Sequence, residues 1–187
     1  MPQSASDSHR QLIKNAEILF KLAFGFSATH PRLGYLTEFS SYGHTAKQKD
    51  LSLNEKEEFV GAGFLEHVAT YTLAAQIDTA LAELYPNWLN SANAEQRSIA
   101  WIARLLRNAF AHNPFAPKWL IDRKVKNERL TVRKIIALDT AALKGRYVAS
   151  EDYGGPLALL KFSQLVRRKL PRPRRALQKP CQAPQNR

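Results

Sequence analysis

Residues 99–112 read IAWIARLLRNAFAH, and Asn113-Pro114 follows at once. On a helical wheel at about 100° per residue, with Arg104 as zero, Ile102, Ala103, Leu105, Leu106, Ala109 and Phe110 fall between about 100° and 260°. That is a broad apolar side of the kind that faces a core. Arg104, Arg107, Asn108, Ala111 and His112 fall between about 300° and 80° on the same wheel. The strip has no Glu, Asp or Lys, the residues that ordinary solvated faces favour. Asn108 and His112 are four apart and stack, and Arg107 flanks them with the reach to point along the same groove. Pro114 disfavours helical geometry at Asn113 and ends the helix.

Upstream, Asn93 with Gln96 has a capping-box pattern and should start this helix. Before it, Ser52 with Glu55 has the same pattern and predicts a long helix to about Tyr85, stopped by Pro86 and weakened by Gly61 and Gly63. Residues 8–25 form a first helix, capped by Ser6 or Asp7. Residues 26–51, with Gly34, Gly43 and Pro31, read as a long loop. Downstream, KWLID (118–122) and RLTVRKII (129–136) predict two short strands joined by a basic turn around Lys124–Glu128. A helical turn is expected at 138–143. Gly154-Gly155-Pro156 opens a last helix to about Leu170, ended by Pro171 and Pro173. The expected fold is mainly α: an antiparallel helical bundle with a short C-terminal β-hairpin and a final helix. One domain should span 1–170, with a basic disordered tail over 171–187.

With 187 residues, 44% hydrophobic and 24% charged, the composition is that of a globular chain rather than a disordered one. The single cysteine, Cys181, allows no internal disulfide, and there is no Cys/His zinc spacing, so no metal or other cofactor is expected. The polar start MPQSASDSHRQ lacks the apolar run of a secretory signal, and no stretch approaches a membrane span. A cytoplasmic protein is the resulting expectation. Of the net charge of +12, eight cations lie within residues 167–187, which hold no acid, leaving +4 for the rest. Seven more Lys or Arg lie between Lys118 and Lys134, against Asp122 and Glu128. Two cationic clusters suit a polyanion such as nucleic acid, although such a tail can also serve only solubility.

Arg-Asn-Ala-Phe-Ala-His at 107–112 resembles the Arg, polar residue, then His motif of the HEPN superfamily, whose members are helical and often ribonucleases. The wider run RLLRNAFAHNPFAPKWLI (104–121), a following hairpin, Gly145, and Tyr153-Gly154-Gly155 before a last helix look like a subgroup of small plasmid- and phage-associated HEPN proteins. The resemblance covers roughly residues 55–170 and is strong at 99–121. It implies a toxin or antiviral-defence endoribonuclease, acting as a homodimer on RNA, with an antitoxin or defence-system partner possible. Members paired with nucleotidyltransferases often carry a Tyr four residues after the His; here that position is Ala116, so an off-switch acting on such a Tyr is not carried over.

RNA brings its own nucleophile, the 2′-OH, so a cleaving protein supplies proton transfer and charge stabilisation. His112 is the natural general acid or base, because the ordinary histidine pKa lies near neutrality. Arg107 can hold the scissile phosphate bidentately, and Asn108 can orient His112 or bond a phosphate oxygen. The resemblance implies that the second histidine comes from a twofold-related chain and that no metal is required. Arg104, Arg123, Lys124 and Lys126 are candidates for tracking the RNA backbone. His67 with Glu66 either faces the same cleft or is an ordinary core or surface pair. His30 and His44 read as solvated loop residues, Trp101 as a dimer-interface or base-stacking residue, and Trp88 and Trp119 as core. Two other readings compete: a non-catalytic RNA- or nucleotide-binding module using the same groove, and a basic DNA-binding protein, for which no recognition-helix signature is present.

Overall fold

The computed structural model describes residues 4–29, 38–41, 44–47 and 53–171. Four helices carry the fold: α1 (Ala5–Thr29), α2 (Glu55–Leu84), α3 (Ala94–Ala111) and α4 (Pro156–Lys169). Pairs at opposite ends fix their directions. His9 of α1 meets Glu83 of α2, while Phe24 lines a cavity with Glu66 and Thr70. Asp78 of α2 meets Arg104 and Arg107 of α3, while His67 meets Phe110. Arg10 reaches the Leu170 carbonyl, and Glu17 bonds Ser163 and Arg167. Each neighbouring pair is therefore antiparallel. Among the described residues no helix is long and apolar enough to cross a membrane.

The apolar side of the wheel drawn for residues 99–112 is buried, and in the first turn Ala100 and Trp101 of the opposite side are buried as well. Ile102, Ala103, Leu105, Leu106, Ala109 and Phe110 are all inside, against Leu73, Ala74, Ile77 and Leu81 of α2 and Ile13, Ala16 and Phe20 of α1 within one core cluster. Full burial of each large apolar side chain is worth about 1.5–3 kcal/mol, enough to override weak local propensities. The long helix accordingly runs unbroken through Gly61 and Gly63.

Several expected boundaries are corrected. Ser4, not Ser6 or Asp7, caps α1: its hydroxyl accepts the Asp7 amide at 3.2 Å. The cap of α2 is Asn54 with Glu57, not Ser52 with Glu55. The Asn54 side chain accepts from the Lys56 and Glu57 amides, and the Glu57 carboxylate takes the Asn54 amide at 2.9 Å. Both patterns stand two residues apart in the sequence, and the one satisfying three amides prevails. The expected loop over 26–51 holds structure: α1 extends to Thr29, and β1 (Glu38–Ser41) pairs antiparallel with β2 (His44–Lys47). His30 lies outside the described residues, as does the tail from residue 172.

The C-terminal hairpin exists but sits elsewhere. β3 (Arg129–Val132) pairs with β4 (Ile136–Asp139), so RLTVRKII contains one strand, the turn and the start of the next. Arg133 takes a left-handed φ of 52° in that turn. Leu130, Val132, Ile136 and Leu138 are the buried members of this hairpin, the alternation expected of strands with one face on a core. KWLID is irregular apart from one bridge, Lys118 to Tyr147. Its basic continuation forms a one-turn 3-10 helix, Arg123–Val125, capped by Asp122. The expected helical turn at 138–143 is the end of β4 and a run of turns. The last helix starts as expected. Gly154 and Gly155 take φ values of 92° and 86°, and a Cβ on Gly154 would meet the Ala158 Cβ at 3.2 Å. Pro156 then occupies the first helical turn.

Candidate functional site

The C-terminal end of α3 is folded back on itself. His112 is the C-cap, and the Asn113 side chain accepts the Phe115 and Ala116 amides at 3.0 and 3.2 Å. The Lys118 amide then donates to the Ala109 carbonyl at 3.2 Å. Trp119 anchors the returning chain: it is fully buried, and its indole N–H donates to Asp152 at 2.7 Å. Its backbone also bonds Arg146 and Gly145, which brings Tyr147 alongside Lys118. The result is a cavity of about 430 Å³ lined by Ala109, His112, Asn113, Ala116, Lys118, Leu120 and Tyr147. The Lys118 ammonium lies 4.6 Å from the centre of the Tyr147 ring. His112 is exposed, and among the described residues its imidazole has no hydrogen-bond or ion-pair partner.

The two arginines of the strip do not point into that cavity. Both reach across to Asp78, which is 5% exposed. Arg107 places Nε 3.1 Å and Nη2 3.0 Å from Oδ2, and Arg104 places Nε 3.4 Å from Oδ1. One carboxylate thus serves two guanidiniums, and the group keeps one net positive charge. The Arg107 side chain is still 40% exposed, so the edge turned away from Asp78 can take an anion. Asn108 is half-buried and opens on a further cavity, of about 360 Å³, with Trp119, Ile121, Asp122 and Lys144. Leu120 stands in the wall of both this cavity and the His112 cavity. Within one chain, then, His112 lines one cavity, Asn108 the next, and Arg107 neither.

The remaining candidates are dispersed. Arg123, Lys124 and Lys126 are exposed, as expected, but on the 3-10 turn rather than in a hairpin. Lys124 shares a cavity with Arg97 and Trp101 near the start of α3. That is about 22 Å along the helix from His112, from the rise per residue. Trp101 is corrected from a surface role: it is 4% exposed, and its indole donates to the Leu89 carbonyl at 3.0 Å. Trp88 is only partly buried and stacks on Tyr85 at 4.2 Å. His67 does not share the His112 cavity; it meets the edge of Phe110 at 5.7 Å and lines a separate space with Glu66.

Sequence reasoning missed Asp78 and Tyr147, and took Lys118 only as the start of a basic cluster. Asp78 had a signal: a lone carboxylate beside Leu73, Ala74, Ile77 and Leu81, on the side of α2 that must face another helix. The meeting of Lys118 with Tyr147 had none, because 28 residues separate two side chains that only the backbone bonds around Trp119 bring together. Among the described residues no group of three or more His, Cys, Asp or Glu can hold a metal ion. Comparison with protein-family models, curated proteins and solved structures finds no match to this chain.

Proposed function

We propose that this chain is an endoribonuclease of the kind used by toxins or antiviral effectors, with His112 transferring protons and Arg107 holding the scissile phosphate. The observation that carries the reading is the state of His112. Its imidazole is exposed and has no partner among the described residues, at a cavity of about 430 Å³ that also presents Lys118, Tyr147 and Asn113. It follows by five residues a guanidinium that a buried carboxylate holds in place.

In the proposed reaction the 2′-oxygen forms a bond to phosphorus and the bond from phosphorus to the 5′-oxygen breaks. A base takes the 2′-OH proton, and an acid returns one to the 5′-oxygen. The products are a 2′,3′-cyclic phosphate and a 5′-OH, and no metal is needed. Arg107 offsets the extra negative charge of the transition state through the edge not bonded to Asp78. One histidine cannot do both proton transfers at once, so a second copy of the chain completes the site. Exposed apolar side chains support that arrangement: Phe64 and Phe115 meet edge-on at 4.7 Å, and Leu65, Val68 and Leu120 are also exposed.

Cleavage of mixed total RNA in EDTA, by wild type, His112→Ala and Arg107→Ala, tests the proposal. Loss of about 10²–10⁴-fold in both variants, with folding intact, is the expected result. Equal or absent activity in all three would sink it. One observation favours a second reading, a non-catalytic RNA- or nucleotide-binding module: within one chain Arg107 is engaged by Asp78 and does not share the His112 cavity. That reading expects RNA binding in all three proteins without cleavage.

A further inference from the structure

One cavity differs in chemistry from the rest of this basic molecule. It encloses about 150 Å³ between α1, α2, α3 and the segment before α4, and its polar lining includes Glu66, His67, Thr70 and Tyr153. Phe24 and Phe110 supply apolar wall. Not one of its lining residues is Lys, Arg, Asn or Gln, in a chain with 28 Lys and Arg.

Its polar groups are unspent. Thr70 and Tyr153 are 2% and 3% exposed, and neither hydroxyl has a hydrogen-bond partner among the described residues. His67 Nδ1 is buried without a partner. The Glu66 carboxylate makes no ion pair or hydrogen bond among those residues. Buried polar groups in folded proteins are nearly always bonded, so His67 Nδ1 and the two hydroxyls call for water or a ligand in this space, with the half-buried Glu66 carboxylate beside them. The local field is negative as well. Burial first, then the carboxylates of Glu66, Glu151 and Asp152, keep the Tyr153 phenol protonated beyond its ordinary range.

We infer that this cavity binds a small organic cation: a protonated amine on a compact apolar body about the size of one ring. Glu66 takes the charge, the hydroxyls and the His67 ring accept the remaining N–H groups, and the phenyl rings contact the body. The volume is that of an engineered cavity known to admit benzene. A phosphate or carboxylate ligand would meet Glu66 with no cation to balance it. The inference is independent of RNA cleavage, since none of these residues takes part in the proposed chemistry.

Calorimetric titration of the full chain with cyclohexylammonium, cyclohexanol and cyclohexanecarboxylate, all close in size, tests it. Cyclohexylammonium is expected to bind with one site per chain, and cyclohexanol at least about tenfold more weakly, the loss of one charge-assisted contact. The carboxylate should not bind. Glu66→Gln should weaken the ammonium by a similar factor, and Glu55→Gln, exposed on the same helix, should leave it unchanged. The three-ligand series on wild type stands even if Glu66→Gln fails to fold. Equal affinity for ammonium and alcohol, indifference to Glu66→Gln, or no saturable binding up to about 10 mM would overturn the inference and leave a water-filled cavity.

Discussion

Asp78, in the last third of α2, holds Arg107 near the end of α3 through both Nε and Nη2, at 3.1 and 3.0 Å. The contact joins the two helices at the point where the polar strip of α3 turns toward its neighbour. It also sets which edge of the guanidinium is left for a ligand. Asp78 is nearly buried, whereas Arg104 and Arg107 keep 31% and 40% of their side chains exposed.

Asp78→Asn therefore removes a buried charge but leaves its two partners access to water. The expected loss is about 1–3 kcal/mol, below the cost of stripping a fully buried ion pair. Urea denaturation measures it. A double-mutant cycle with Arg107→Ala should return a coupling above about 0.5 kcal/mol. A coupling near zero would mean that Asp78 does not hold Arg107 in solution.

Tyr147 is 62% exposed and lines the cavity that His112 lines. If a base of the RNA stacks there, Tyr147→Ala should weaken single-stranded RNA by about tenfold, the low to middle range for one base on one aromatic ring. Tyr147→Phe should not. Fluorescence anisotropy in a His112→Ala background separates this from cleavage. Equal loss for Phe and Ala would assign the effect to the hydroxyl and reject stacking.

The folded state keeps the Tyr153 phenol protonated to higher pH than its ordinary value of 10.0. In the unfolded chain that tyrosine ionises first, so its contribution is fully present below about pH 10 and is lost as pH rises further. Tyr153→Phe should flatten the fall in stability between about pH 10 and 12 relative to wild type. Chemical denaturation across that range is the check; parallel curves would show that other groups control alkaline unfolding.

Thr140 is 1% exposed at the end of β4. Its hydroxyl lies 2.5 Å from the Val125 carbonyl and 2.9 Å from the Glu128 carbonyl, and it accepts the Glu128 amide at 2.9 Å. Thr140→Val keeps the shape but leaves the Glu128 amide only its 3.3 Å bond to the Val125 carbonyl, at a cost of about 1–3 kcal/mol. Faster hydrogen exchange at the Glu128 amide should accompany the loss. An unchanged exchange rate would show that the hydroxyl does not hold this turn.

The helices were legible because burial follows a local period. Ile102, Leu105, Leu106, Ala109 and Phe110 recur at helical spacing whether or not a partner is known, and Pro114 and Gly154-Gly155-Pro156 act through φ and ψ alone. The second hairpin was misplaced for a related reason. KWLID has strand-like composition, but Trp119 is held by Asp152 and Arg146 instead of pairing across a ladder.

Residue order alone specifies the four helices, their apolar faces and the polar strip that carries Arg107, Asn108 and His112. Packing of the folded chain is what brings Arg104 and Arg107 onto Asp78, returns Tyr147 beside Lys118, and gathers Glu66, His67, Thr70 and Tyr153 around one space. Helical periodicity is a property of the chain within a few residues. Which distant side chain meets a given face depends on how the helices pack, and that is set by the summed burial of the whole core.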